Sequence, residues 1–101
     1  MISVVIKKNN SMITSLKVSG HAGYDDKGKD IVCAGVSSIV IGGFNALAKK
    51  STKVKFLVND NVSEVKIKDE SSEVQVVLET MIIQLKTIHE SYSNYIEIKE
   101  V

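Results

Sequence analysis

The chain has 101 residues, 44% hydrophobic and 25% charged, which fits one domain with its own core and leaves no room for a second. Thirteen lysines, no arginine and a formal net charge of +1 argue against a nucleic-acid binder, whose basic face normally raises the pI. No apolar run approaches the roughly 20 residues that cross a bilayer, and the N-terminus lacks the basic region and cleavage site of a signal peptide. The single cysteine cannot form an intramolecular disulfide, which fits a reducing cytoplasm.

The first third of the chain predicts a β-hairpin followed by a loop. Apolar residues alternate over residues 2–8 and 12–19, around the polar turn 9–11, as in half-buried strands. The apolar positions are Ile2, Val4, Ile6, Ile13, Leu16 and Val18. Residues 20–29 contain three glycines and no apolar period, so they predict a polar, mobile loop.

A helix of about 17 residues is predicted after a short apolar step at residues 30–32. Gly42 and Gly43 lie inside it, and each lowers the stability of the helix by about 1 kcal/mol relative to alanine. Their presence therefore indicates close approach of another backbone. Lys49 and Lys50 suit its C-terminus, where the helix dipole favours cations. Its core stripe follows i, i+3, i+4, i+7 spacing and comprises Val36, Ile39, Val40, Gly43, Phe44 and Leu47.

The second half of the chain predicts two strands, a long helix and a closing strand. The strands cover residues 54–58 and 62–68 around a polar turn at 59–61, and the closing strand covers 95–99. Ser72 and Gln75 have the spacing of a capping box that opens the second helix. The apolar stripe of this helix consists of Val74, Leu78, Met81, Leu85, Ile88 and Tyr92, widened by Val77, Ile82 and Ile83. So wide a surface predicts cover from the sheet and from a partner subunit. The order ββαββαβ predicts a single α/β (α+β type) domain over residues 1–101, with a largely antiparallel sheet and two helices.

Three side chains could carry chemistry. His89 lies late in the second helix and is expected to be a solvated surface histidine. Cys33 could pack as a small hydrophobe, but it lies at a helix N-terminus, which favours the thiolate, and small residues at 34–35 leave room for a substrate. His21 lies in the loop before it, and a thiolate with a nearby imidazole is the minimum of a cysteine nucleophile. The free N–H groups of the helix N-terminus could also hold a developing oxyanion.

A metal site is the competing use of these residues. His21, Asp30 and Cys33 offer three ligands but lack the CxxC or HxxxH spacing of zinc motifs. Asp25 and Asp26 in the loop lack the spacing and the distal glutamate of a calcium loop. No metal or other cofactor is therefore expected.

Two motifs, each weak alone, together point to one protein family. Gly20–Ala22 (GHA) and, after Gly28, the run Asp30–Ser37 (DIVCAGVS) resemble the ribosomal-processing cysteine protease family, Prp. The likeness covers the whole chain, including its length, the opening hairpin, the small-residue helix and the long C-terminal helix with its closing strand. The resemblance implies that His21 and Cys33 are catalytic and that Gly20, Asp30 and Ser37 are supporting motif residues.

The resemblance also implies a function. Family members are small bacterial cytoplasmic endopeptidases that remove an N-terminal extension from large-subunit ribosomal protein twenty-seven, cutting after a pair of phenylalanines. This removal is needed for a working ribosome. Members are homodimers with the long helix in the interface, and a mobile loop covers the active site. We therefore expect a cytoplasmic homodimer that acts on this ribosomal protein and contacts neither nucleic acid nor membrane.

The residues and the resemblance predict the same mechanism. His21 takes the thiol proton, and Cys33 attacks the carbonyl after an aromatic residue to give an acyl-enzyme that water hydrolyses. Asp30 either orients the imidazole or caps the turn into the helix. Ser37 either bonds the backbone or lines the pocket.

Residues 22–29 predict a lid that orders over bound peptide. Gly23 and Gly28 flank it, and Tyr24 is the expected substrate contact. Closure would bring the histidine toward the cysteine, so the free enzyme is expected to lack a hydrogen bond between the two side chains. The alternative is a non-catalytic ribosome-associated binding module with a buried thiol. A redox-active thiol protein would need a resolving cysteine, which the chain lacks.

Overall fold

The computed structural model describes residues 1–68 and 71–101 and has the predicted order of elements. The strands are β1 (Ile2–Asn9), β2 (Met12–Ser19), β3 (Val54–Val58), β4 (Val62–Ile67) and β5 (Ile96–Glu100), and the helices are α1 (Ile31–Lys50) and α2 (Ser72–Tyr92). The strands form one sheet in the order β3-β4-β2-β1-β5. Every pairing is antiparallel except that of β1 with β5, which is parallel. The predicted fold class is therefore confirmed.

The core lies between one face of the sheet and the two helices. The alternating residues of β1 and β2 are buried as predicted, and cross-strand pairs such as Ile6 with Leu16 join their buried faces. Gly43 of α1 is placed so that a Cβ would overlap the side chain of Met81 in α2. The close approach at this glycine is thus to a side chain and not to another backbone, while Gly42 faces open space.

Both helices begin differently from the prediction. Asp30 is the N-cap of α1, so residues 30–32 are the cap and the first turn of a 20-residue helix, not a separate apolar step. Ser72 is the first residue of α2, and the predicted capping box is wrong. The buried amide of Gln75 instead accepts from the N–H of Ile13 and donates to its carbonyl, each at 2.9 Å. This pair of bonds ties α2 to β2.

Helix α1 is more apolar than the sequence analysis recognised. Its length and a mean hydropathy of 1.9 are sufficient to cross a membrane, contrary to the expectation that no run approaches that length. Its buried side chains belong to the same apolar cluster as those of the sheet and α2. They are Val32, Val36, Val40, Phe44 and Leu47. In this fold one face of α1 packs in the core, and Lys49 and Lys50 occupy its last turn as predicted.

Candidate active site

Gly20 joins β2 to the loop at a point where no other residue fits easily. Its φ is +85°, and a Cβ would lie 2.5 Å from the carbonyl oxygen of Met1. Its N–H donates to the carbonyl of Asn61 at 3.1 Å. The motif glycine therefore allows the chain to pass between the N-terminus and the β3–β4 turn, which places His21 beside that turn.

Gly20→Ala is expected to lower the free energy of unfolding by about 1–2 kcal/mol, because it adds both backbone strain and a clash. Gly23→Ala is the matched control, since Gly23 also has a positive φ but nothing lies within 4 Å of its Cβ position. Urea denaturation measures the free energy of unfolding of both variants. Equal losses for the two would mean that the contact with Met1 contributes nothing.

Asp30 organises the start of α1 and the loop together. Its Oδ1 accepts from the N–H groups of Val32 and Cys33, both at 3.0 Å. Its Oδ2 accepts from those of Tyr24 at 3.0 Å and Asp25 at 3.4 Å. The Cys33 N–H, opposed by burial and aided by the two loop N–H groups, lowers the pKa of Asp30 below its ordinary value of 3.8. Of the two roles considered for Asp30, the structure shows the cap.

The N–H groups at the start of α1 are therefore not free. Asp30 engages those of Val32 and Cys33 with its side chain and that of Ala34 with its carbonyl, at 3.0 Å. In this structure the carboxylate of Asp30 therefore competes for two of the N–H groups that were expected to hold an oxyanion. The half-buried sulfur of Cys33 accepts instead from the N–H of Ala22, at 3.3 Å. The loop, and not the helix terminus, supplies this donor to the sulfur.

The imidazole of His21 is held by a residue that the sequence analysis assigned only to a turn. Its Nε2 lies 2.9 Å from Oδ1 of Asn61. Within residues 1–68 and 71–101, no hydrogen bond joins the His21 ring to the Cys33 sulfur, as expected for the free enzyme. The only sequence signal for Asn61 was its place in a polar turn 40 residues away.

Two clefts meet at the thiol. Both are lined by His21, Cys33 and Ser37. The first, of about 270 Å³, runs between α1 and the β3–β4 turn, and its apolar lining comprises Ile2, Val18, Val36, Val40, Ile41, Val58 and Val62. The second, of about 590 Å³, lies beside the loop and is lined by Gly23, Asp25, Lys27, Gly28, Asp30 and Ala34. An extended chain could therefore cross the sulfur from one cleft to the other.

Tyr24 lies elsewhere than expected. Its ring packs edge-on against Tyr92 at 5.5 Å and Tyr95 at 5.1 Å between centroids, and it lines neither cleft. The loop thus has an aromatic anchor on α2 and the residue before β5. Gly23 and Gly28, with φ of +68° and +87°, make the turns that let the loop border the second cleft.

The remaining candidates lie outside the two clefts or form no cluster. His89 is half-buried, not fully solvated as expected, and lines neither cleft. Among the residues that the structure describes, no three His, Cys, Asp or Glu side chains are grouped to hold a metal ion.

A thiol and an imidazole on one cleft, with room for a chain on either side, define the class of cysteine hydrolases. Comparison with known proteins specifies the family. The family model described as "Cysteine protease Prp" matches residues 1–97. The chain belongs to the Prp family and is a cysteine protease.

Named relatives and solved structures agree with this assignment. The ribosomal processing cysteine protease Prp of Mycoplasma genitalium is 37% identical over 102 residues, covering 99% of this chain and 96% of that protein. Its counterpart in Staphylococcus aureus (strain Mu50) is 34% identical, covering 97% of each. The crystal structure of S. aureus Prp with a covalently linked product peptide matches with a TM-score of 0.95 and 31% identity, over 100% of both chains. The structure of that enzyme with a substrate peptide matches with a TM-score of 0.88 and 30% identity, again over 100% of both chains.

Proposed function

We propose that this protein is a bacterial cytoplasmic endopeptidase that removes the N-terminal extension of large-subunit ribosomal protein twenty-seven, a step needed for ribosome assembly. The observation that carries the proposal is the half-buried thiol of Cys33 at the junction of two clefts, with His21 lining both. The names of the relatives, and the peptide complexes of S. aureus Prp, support a ribosomal protein as substrate.

The aliphatic side chains of the first cleft support cleavage after a pair of phenylalanines. They come from α1, the start of β1, β2, the end of β3 and the start of β4. Burial of an aromatic ring there would remove apolar area from water at about 25 cal/mol per Å². The second cleft, which also has Cys33 in its lining, would then receive the chain that follows the scissile bond.

The reaction has two stages, acylation of Cys33 and hydrolysis of the acyl-enzyme. His21 takes the proton of the Cys33 thiol, and the sulfur forms a bond to the substrate carbonyl carbon. The C–N bond breaks as the imidazolium gives its proton to the leaving amine, which departs and leaves a thioester on Cys33. Water then gives one proton to His21 while its oxygen attacks the thioester, and that proton returns to the sulfur as the acid product leaves.

The alternative function, a ribosome-associated binding module, requires a thiol that is buried and unreactive. Cys33 instead lines both clefts and only partly packs against the core cluster. This exposure favours the enzyme over the binding module.

The decisive experiment is to incubate the protein with the host's full-length ribosomal protein twenty-seven and to read the product masses. We expect a single cut after the phenylalanine pair, and no cut in a substrate whose two phenylalanines are replaced by alanine. An uncut wild-type substrate, or a cut that does not depend on the phenylalanines, would contradict the proposed substrate assignment.

A homodimer through α2 is also proposed, on the evidence of one exposed helix face formed by Val76, Thr80, Ile83 and Thr87. Val76 and Ile83 are 58% and 64% exposed. The hydroxyls of Thr80 and Thr87 bond the carbonyls of Val76 and Ile83 in their own helix, at 2.7 and 2.9 Å. This face therefore presents mainly methyl groups, which suits contact with a second copy of the same helix.

Ile83→Glu is expected to shift the dimer toward monomer, because a carboxylate buried at such a contact would be unpaired. Gln84→Glu adds the same charge at the next position, about 100° around the helix from Ile83 and at the border of this face, and is expected to weaken the dimer less. Sedimentation at tens of micromolar measures both. Ile82, which the sequence analysis also assigned to this surface, is 7% exposed and belongs to the protomer core, so a charge there would test folding instead. A monomeric wild type would contradict the proposal.

A further inference from the structure

The β3–β4 turn is built to hold Asn61 in one place. Oδ1 of Asn59 accepts from the N–H groups of Asn61 and Val62, at 3.1 and 3.0 Å. The N–H of Asn59 donates to the carbonyl of Val62 at 2.9 Å. These bonds fix the turn without using the side chain of Asn61, which is left for another partner.

Asn61 then contacts two consecutive residues of the GHA motif. Its carbonyl accepts from the N–H of Gly20 at 3.1 Å, and its Oδ1 lies 2.9 Å from Nε2 of His21. One residue therefore fixes both the backbone that carries the imidazole and the imidazole itself. The clash that a Cβ at position 20 would make with Met1 shows how closely this segment is held.

The second of these contacts favours one tautomer of the ring. An amide oxygen only accepts, so the Nε2 that faces it carries the hydrogen. In a neutral imidazole the other nitrogen, Nδ1, is then the acceptor and the base. Because Asn61 occupies Nε2, Nδ1 is the ring nitrogen left to take the proton of Cys33.

We propose that Asn61 is the positioning residue for His21, an inference that rests on the proposed cysteine–histidine mechanism. In this arrangement the thiol proton moves to Nδ1 and later passes from Nδ1 to the leaving amine, while Nε2 keeps its own hydrogen and donates it to Oδ1 of Asn61 throughout. The other candidate for this role, Asp30, uses both carboxylate oxygens on backbone N–H groups. The third member of the site therefore comes from the β3–β4 turn and not from the DIVCAG motif.

Asn61→Ala tests the proposal, with two comparison variants. We expect kcat for a phenylalanine-pair peptide to fall about tenfold, the effect of one lost hydrogen bond in the transition state, with little change in KM. Asn61→Asp keeps an oxygen acceptor and is expected to retain more activity than Asn61→Ala. Asn59→Ala weakens the turn but keeps the side chain at position 61, so it measures the effect of turn damage alone.

A spectroscopic readout separates positioning from mere structure. The ¹⁵N shifts of the His21 ring, recorded without substrate at about pH 8.5 where an ordinary imidazole is neutral, are expected to show hydrogen on Nε2 in the wild type. Asn61→Ala is expected to show a mixture of the two tautomers, and Asn61→Asp to restore the wild-type form. Urea denaturation of each variant shows that the compared proteins are folded.

Three results would overturn the proposal: an unchanged tautomer in Asn61→Ala, an unchanged or raised kcat in that variant, or an equal loss of kcat in Asn59→Ala. A raised kcat would mean that Asn61 holds the imidazole away from the thiol. The ring shifts require no substrate, so they test Asn61 even if the ribosomal protein is not cut. Failure of the proposed function would appear instead as an uncut ribosomal protein or as cleavage that survives loss of the thiol.

Discussion

Cys33→Ala is expected to reduce cleavage at least about 10⁴-fold, because removal of a catalytic nucleophile leaves only binding and electrostatic contributions. The fold should survive. Cys33 is half-buried, and its sulfur accepts one hydrogen bond from the N–H of Ala22. Loss of the sulfur should therefore change the free energy of unfolding by less than about 1 kcal/mol. Product masses over a time course and urea denaturation measure the two effects.

Ser37→Ala is the matched control for the thiol. Ser37 lies one helical turn beyond Cys33, is exposed and lines the same two clefts. It is expected to keep most of the activity if its hydroxyl only lines the pocket. Iodoacetamide should add one label to the wild type and abolish cleavage, and should add none to Cys33→Ala, since the chain has no other cysteine. Native-rate cleavage by Cys33→Ala would refute the mechanism.

The elements of this fold could be predicted because their signals are local. Alternation in β1 and β2 and the spacing of apolar residues in α1 and α2 depend only on which face of a strand or helix is buried. The thiol and the imidazole could be placed together because the two motifs flank a single loop, so their residues meet at the start of α1.

The interactions that refine the fold and the site could not be predicted, because each joins residues distant in sequence. The His21–Asn61 contact spans 40 residues, and the bonds of Gln75 to Ile13 span 62. Tyr24 likewise meets rings from α2 and the residue before β5. Composition showed that these side chains could bond or stack, but only the sheet order and the packing of α2 identify their partners.

The misassigned helix N-terminus has a different cause. The sequence indicates both that Asp30 can cap this helix and that the N–H groups after it can hold a thiolate or an oxyanion. The side chain of an N-cap accepts from N–H groups of the first turn, and here the carboxylate of Asp30 accepts from those of Val32 and Cys33. It therefore competes with a thiolate or an oxyanion for these two donors.

Asp30→Ala is accordingly expected to destabilise the protein more than an ordinary surface substitution. It removes the N-cap of α1 and the two bonds that tie Tyr24 and Asp25 to the helix. A cap in a domain of this size corresponds to a Tm decrease on the order of 10 °C at neutral pH. Cleavage should also slow, because Cys33 and the bordering loop share this anchor. Thermal unfolding followed by circular dichroism measures the first effect.

The effect of Asp30→Ala on Tm should depend on pH, and the lowered pKa of Asp30 determines in which direction. Hydrogen bonds, first that of the Cys33 N–H, favour its charged form in the folded state, so the folded pKa lies below the ordinary 3.8. The stabilisation is therefore present above about pH 3.8 and is lost as the pH falls through the lower folded value. The Tm of the wild type should exceed that of Asp30→Ala by the largest amount at pH 7, and this difference should decrease below pH 3.8. Asp30→Asn keeps an accepting oxygen without the charge, so the difference in Tm between Asp30→Asn and Asp30→Ala should not depend on pH. If the difference in Tm between the wild type and Asp30→Ala is as large at pH 2.5 as at pH 7, the charge of Asp30 contributes nothing.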